Sequence, residues 1–217
     1  MKKILLIILA GLLMLGSLNV FATDAAEYTS ELSKYGIIKG DPDGSMRLSD
    51  NLTRAEAVTL LTRLYGFNPE TSDAAPANKF SDMDGHWACN AAMIAKGLRI
   101  VDTVDGEAFN PDENIPAEEF IKMVICLLGY QDVAEQRGGS PHGYLMQASQ
   151  LGVTKGVSVA TGNYITREDA VQMLCNSLDI PVMAMTGFNP KEGNTYTIMD
   201  GKNGNEYRSL RTMLEAE

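Results

Sequence analysis

Thr53-Arg54-Ala55-Glu56 recurs as Thr166-Arg167-Glu168-Asp169 and, in weaker form, as Pro116-Ala117-Glu118-Glu119. Counting forward from each start, the fourth residue on is Ala57, Phe120 or Ala170, the seventh Leu60, Met123 or Met173, and the eighth Leu61, Val124 or Leu174. Tyr65, Leu128 and Leu178 stand twelve residues on. This spacing lines up apolar side chains on one face of a helix, so each copy predicts a core-facing helix. Thr53 with Glu56 fits a capping box, and Thr166 with Asp169 is a weaker version of it. Pro116 suits a first helical position, where its missing N–H costs nothing.

Working outward, a shorter helical segment precedes each start: Leu32 to Ile38 before Gly40, Ala91 to Val101, and Leu145 to Val153 before Gly156. Turn-forming Asp41-Pro42-Asp43-Gly44 and Asp105-Gly106 follow the first two. Each unit therefore reads helix, loop, helix. One such unit leaves an apolar face uncovered, so three are expected to share a core in a mainly α fold.

At the N-terminus, Lys2 and Lys3 precede an uncharged apolar run that ends in Val20-Phe21-Ala22. Residues 1–22 read as a secretory signal peptide cut after Ala22, with no stable membrane insertion afterwards. Left uncut, the run from Ile4 to Ala22 has about the ~20 residues that a single bilayer span needs. Cleavage leaves 16 of the 18 bases against 28 acids, a net charge of −12. That balance argues against nucleic acid or an anionic membrane as partner. Cys89, Cys126 and Cys175 are an odd, widely spaced set, which points to buried free thiols rather than a disulfide framework or a metal site.

The chemistry of catalysis is poorly represented. The chain has two histidines, His86 and His142, neither in a zinc or protease motif. Gly139-Ser140-Pro141-His142-Gly143 lacks the Gly-x-Ser-x-Gly spacing of a nucleophile elbow. Glu118 and Glu119 are adjacent and point to different sides of a helix. Counted as a calcium loop from Asp41, position six is Met46 and position twelve Leu52, where glycine and glutamate are needed. The expectation is a non-enzymatic chain without cofactor or metal.

Phe80-Ser81-Asp82 with His86-Trp87, the apolar-glycine turn Ile37-Ile38-Lys39-Gly40, Phe109-Asn110-Pro111, and Leu52-Thr53-Arg54-Ala55-Glu56 together resemble the S-layer homology family over roughly residues 24 to 180. The resemblance implies three repeats, at 23–67, 79–130 and 131–180, in a pseudo-three-fold helical bundle. Residues 181–217 stay outside it as an irregular or β-hairpin tail or the start of a further domain, since Thr195-Tyr196-Thr197-Ile198 alternates before two Gly-containing turns. It further implies a secreted protein of a Gram-positive cell wall or S-layer. Such a protein binds secondary cell-wall polysaccharide, often bearing pyruvate ketals, in grooves between repeats, and S-layer or other surface proteins are further partners. The alternative is an envelope structural or protein-interaction module whose grooves have degenerated.

The ligand-binding residues that follow are Arg54, Arg167, Trp87, Asp82, Gly40 and Gly156. An arginine grips a carboxylate through two parallel N–H bonds, and free amides at a helix start add to the attraction. Trp87 would stack on a sugar face, Asp82 accept sugar hydroxyls, and the glycines admit a close backbone approach. By residue type alone, a first-turn arginine is ordinarily solvated, a lone tryptophan ordinarily a core anchor, and Asp82 a helix cap. The middle unit departs from the pattern, with Pro116-Ala117 in place of the arginine and Thr103 near the turn glycine.

Overall fold

The computed structural model describes residues 25–71, 77–190 and 193–216; the expected leader at 1–22 lies outside them. The chain is mainly α, with a small two-stranded sheet near its C-terminus. Its helices are α1 (residues 25–34), α2 (Arg54–Leu64), α3 (Cys89–Gly97), α4 (Ala117–Leu127), α5 (Gln131–Gln136), α6 (His142–Leu151), α7 (Arg167–Ser177) and α8 (Leu210–Leu214). The helices α2, α4 and α7 begin at the three recurring motifs, and the residues four, seven and eight positions on are all buried. The capping box forms at α2, where the Glu56 amide donates to Thr53 Oγ1 at 3.2 Å and the Thr53 amide to Glu56 Oε2 at 2.9 Å.

The upstream helices end earlier than their hydrophobic pattern suggests. Ile37, Ile100 and Val153 are buried but lie beyond the helices, and their amides donate back five residues to Leu32, Ala95 and Ala148. In each case the preceding residue is left-handed: Gly36, Arg99 and Gly152. This Schellman closure keeps the apolar residue in the core while ending the helix. The short helix α5 was not legible in the pattern; it precedes α6 and packs against it.

Ahead of α2, α4 and α7, three extended residues close a ring of backbone hydrogen bonds. The Leu52 amide donates to Ile165 at 2.9 Å, Ile165 to Ile115 at 3.2 Å, and Ile115 to Leu52 at 2.9 Å. All three side chains are buried, so each amide and carbonyl spent in the ring would otherwise be an unpaired polar group in the core. Apart from the α5–α6 pair, packing runs between sequence units. Helix α3 lies against α2 and α6 against α4, and Cys175 Sγ on α7 comes 3.3 Å from the Tyr28 carbonyl on α1.

The C-terminal segment forms a hairpin, β1 (Met183–Asn189) antiparallel to β2 (Gly193–Ile198), with an irregularity between Met185 and Gly187. It is tied to the helical body. The Met183 amide donates to Leu128, the Arg211 amide to Leu178, and Val182 and Leu210 are buried. Arg211 also pairs with Asp179 and with Glu31 on α1. Among the described residues no helix is long and apolar enough to cross a membrane.

Candidate functional site

An open groove of about 270 Å³ lies where α2, the turn after α1, the start of α7 and Trp87 converge. Lys39 and Asp41 flank Gly40 on the turn, Glu56 and Arg63 come from α2, and Arg167 from α7. Arg47 and Glu70 complete its charged lining, so four cations face three carboxylates. A net positive groove on a chain of net charge −10 is a local answer to the bulk charge, suited to an anionic ligand.

Trp87 is 64% exposed. The core-anchor reading of this tryptophan does not hold, because its chain neighbours Phe80, Met83 and Ala88 are buried while Trp87 is left outside the core. A large apolar face left open beside fixed cations is the arrangement that stacks on a sugar ring while a charged substituent is held nearby.

Arg167 is buried and already engaged. Its Nη1 lies 3.0 Å from Glu56 Oε1 and its Nε 3.1 Å from the Met46 carbonyl. The helix-start amides expected to attract an anion are also occupied. Arg167 donates to Asp50, Glu168 to Leu48, Arg54 to Glu113 and Ala55 to Pro111. The neighbouring units' carbonyls thus use up the donors that a helix N-terminus would offer an anion.

Arg54 sits apart from Arg167, in a second groove of about 330 Å³ with Asp102, Glu118, Glu119 and Lys122. It grips Glu119 on α4 with both terminal nitrogens, Nη2 to Oε2 at 3.0 Å, and its guanidinium lies 5.8 Å from the Phe109 ring centre. Three acids against two bases make this groove net negative. Ser140 lines it two residues before α6, the place Trp87 takes two residues before α3. Around α7, Gln172 lies against the turn before Gly156, its Nε2 donating to the Lys155 carbonyl at 3.1 Å, and Ala117 replaces the arginine.

Asp82 is committed to the loop before α4. It accepts the Phe109 and Asn110 amides, each at 2.7 Å. Burial opposes its charge, but these two donors outweigh it and hold its carboxyl below the usual range. Of the six expected residues, the structure therefore gathers Arg167, Trp87 and the turn around Gly40, and places Arg54, Asp82 and Gly156 elsewhere. Lys39, Arg47 and Arg63 are groove residues that the motif reading did not single out. All three cysteines are free and half-buried. Burial pushes the Cys126 thiol up to about 11 and Cys175 up to about 12, far from thiolate chemistry.

The sequence that folds this way has counterparts among known proteins. Residues 22–58 and 79–116 match the S-layer homology domain. Two units of the chain are thus S-layer homology domains. It is 26% identical over 166 residues to the Middle cell wall protein of Brevibacillus brevis, covering 76% of this chain and 16% of that protein. A Cell surface protein of Thermoanaerobacter kivui is 26% identical over 166 residues, 74% of this chain and 21% of its own length. The Cellulosome-anchoring protein of Acetivibrio thermocellus is 30% identical over 92 residues, 42% of this chain and 21% of that protein. The chain thus spans about a fifth or less of these relatives' length.

Proposed function

We propose that this protein is held non-covalently at the surface of a Gram-positive cell by binding secondary cell-wall polysaccharide in the groove beside Trp87. It does so without catalysis. In this reading residues 131–180 form a third repeat, and the three repeats make a pseudo-three-fold bundle; the backbone ring through Leu52, Ile115 and Ile165 supports that arrangement. The observation that carries the function is the exposed Trp87 set against Lys39, Arg63 and Arg167 in one groove. Stacking on a sugar face contributes affinity that depends little on salt, while the cations select an acidic polymer. The relatives' names, a cellulosome-anchoring protein and cell-surface proteins, support the same reading.

Co-sedimentation of the purified protein with Gram-positive walls tests it. Binding to native walls, lost on walls stripped of secondary polymer and lost again with Trp87→Ala, is the expected result. Folded protein that stays in the supernatant with native walls would overturn the anchor and leave a structural or protein-interaction module in its place.

A further inference from the structure

Within this groove, which the preceding reading takes as the polysaccharide site, the carboxylates are not equivalent. Glu56 is fixed four ways: it accepts the Thr53 amide and hydroxyl through Oε2 and takes Arg167 and Arg47 on Oε1. Asp41 is paired to Arg47 at 2.9 Å. Glu70 differs. Its side chain is 52% exposed, it sits on the connection between α2 and α3, and among the described residues its carboxylate is held by two cations of the groove: Lys39 Nζ at 2.8 Å and Arg63 Nη2.

The two cations do not depend on Glu70 for their positions to the same degree. Arg63 is 14% exposed and is anchored from behind, its Nη1 donating to the Ile37 carbonyl at 3.2 Å. Lys39 is carried on the turn that the buried Ile37 and Ile38 pin to the core. Removing Glu70 would leave a guanidinium and an ammonium already aimed at one point in the groove, which is a preorganised receptor for a carboxylate. Only this copy has the pair. The residue ten positions beyond the helix start is Arg63 here but Cys126 and Asn176 in the other copies; where Lys39 stands the middle copy has Asp102, and the third keeps a lysine, Lys155, without the arginine.

We propose that Lys39 and Arg63 form the carboxylate-receiving end of the groove, and that Glu70 is an internal stand-in which a carboxylate on the wall polymer displaces. Glu70 thus sets the polymer's affinity by competing with that carboxylate for the same two donors. Each exposed ion pair that Glu70 gives up is individually weak. Neutralising Glu70 is therefore expected to tighten polymer binding by about threefold to tenfold rather than by orders of magnitude.

The test measures affinity of the purified protein for polymer released from Gram-positive walls, untreated or with its carboxyls amidated by carbodiimide. Glu70→Gln should bind untreated polymer more tightly than wild type and lose that advantage on amidated polymer, while Lys39→Gln should bind at least tenfold more weakly. Unchanged thermal midpoints would show that both variants remain folded. A Glu70→Gln advantage that survives amidation would overturn the carboxylate assignment in favour of polymer phosphate. Wild-type binding that needs Trp87 but ignores Glu70→Gln and Lys39→Gln would sink the subsite and leave the groove standing. No binding by any variant, Glu70→Gln included, would overturn both readings.

Discussion

Arg167 reaches from the first turn of α7 to Glu56 in the first turn of α2, its Nη1 3.0 Å from Oε1. The same glutamate closes the capping box with Thr53 through its other oxygen. One carboxylate thus starts its own helix and fastens another unit to it. Arg54 and Glu119 repeat the relationship between α2 and α4. At the start of α4 the arginine is replaced by Ala117, and among the described residues no arginine reaches Asp169.

Arg167→Ala is therefore expected to destabilise the fold. The Arg167 side chain is 9% and Glu56 20% exposed, so removing one partner strands a largely desolvated charge, at a cost of about 3 kcal/mol. Urea denaturation would show the midpoint falling without a change in slope. An unchanged midpoint would mean that the pair adds nothing to stability. Loss of wall binding by this variant has to be read at a temperature where it remains folded.

Arg54→Ala separates anchoring from stability. Its partner Glu119 is 32% exposed and can rehydrate, so the expected cost is smaller, about 1–2 kcal/mol. Because Arg54 lies in the net-negative groove with Ser140 in place of a tryptophan, wall co-sedimentation should stay at the wild-type level. A wild-type midpoint combined with lost binding would reverse these roles and return Arg54 to the ligand site.

The helix starts were legible in the sequence because a cap and an apolar stripe are local signals, complete within about a dozen residues. The ring that joins those starts was not. It spends single residues, Leu52, Ile115 and Ile165, whose partners lie dozens of positions away and carry no mark beyond being apolar. The arginines were legible as a pattern but not in their task. Glu56 reads as a cap within its own unit, and nothing local says that it also receives an arginine from another. Trp87 could not be placed by residue type, since exposure is decided by what else fills the core. Arg63 had one available signal, its absence from the matching positions Cys126 and Asn176, whereas Lys39 recurs as Lys155 before Gly156, and the motif anchored on the helix start passes over both.

Asp82 predicts a pH effect. Its folded carboxyl titrates below the ordinary range because the Phe109 and Asn110 amides prefer the ionised form. Its stabilising contribution is accordingly complete above the unfolded value of about 3.9 and disappears as pH falls through the lower folded value. Asp82→Asn should cost about 1 kcal/mol at pH 7, a figure kept low because the residue is exposed to water on one side. The gap between the two proteins should close as pH falls below 4. Thermal midpoints measured at pH 7, 5 and 3 would show it; a gap that persists at pH 3 would assign the defect to packing rather than to charge.

Gly129 tests whether the hairpin belongs to the body of the fold. It follows α4 with a φ of +84°, and a Cβ there would lie 2.1 Å from the Met183 carbonyl oxygen, a backbone atom that cannot turn aside. That carbonyl belongs to the residue whose own amide donates to Leu128 at 2.9 Å, the bond that seats β1 on the end of α4. Gly129→Ala must therefore both adopt a left-handed backbone, costing about 1 kcal/mol, and push β1 away from the helix. The expected loss is about 2–4 kcal/mol in all, with amide exchange at Val182 and Met183 accelerated ahead of the Leu52, Ile115 and Ile165 ring. Equal acceleration in both places would mean that hairpin and helices unfold as one unit. Unchanged exchange at Val182 and Met183 would mean that the hairpin is seated by contacts other than this one.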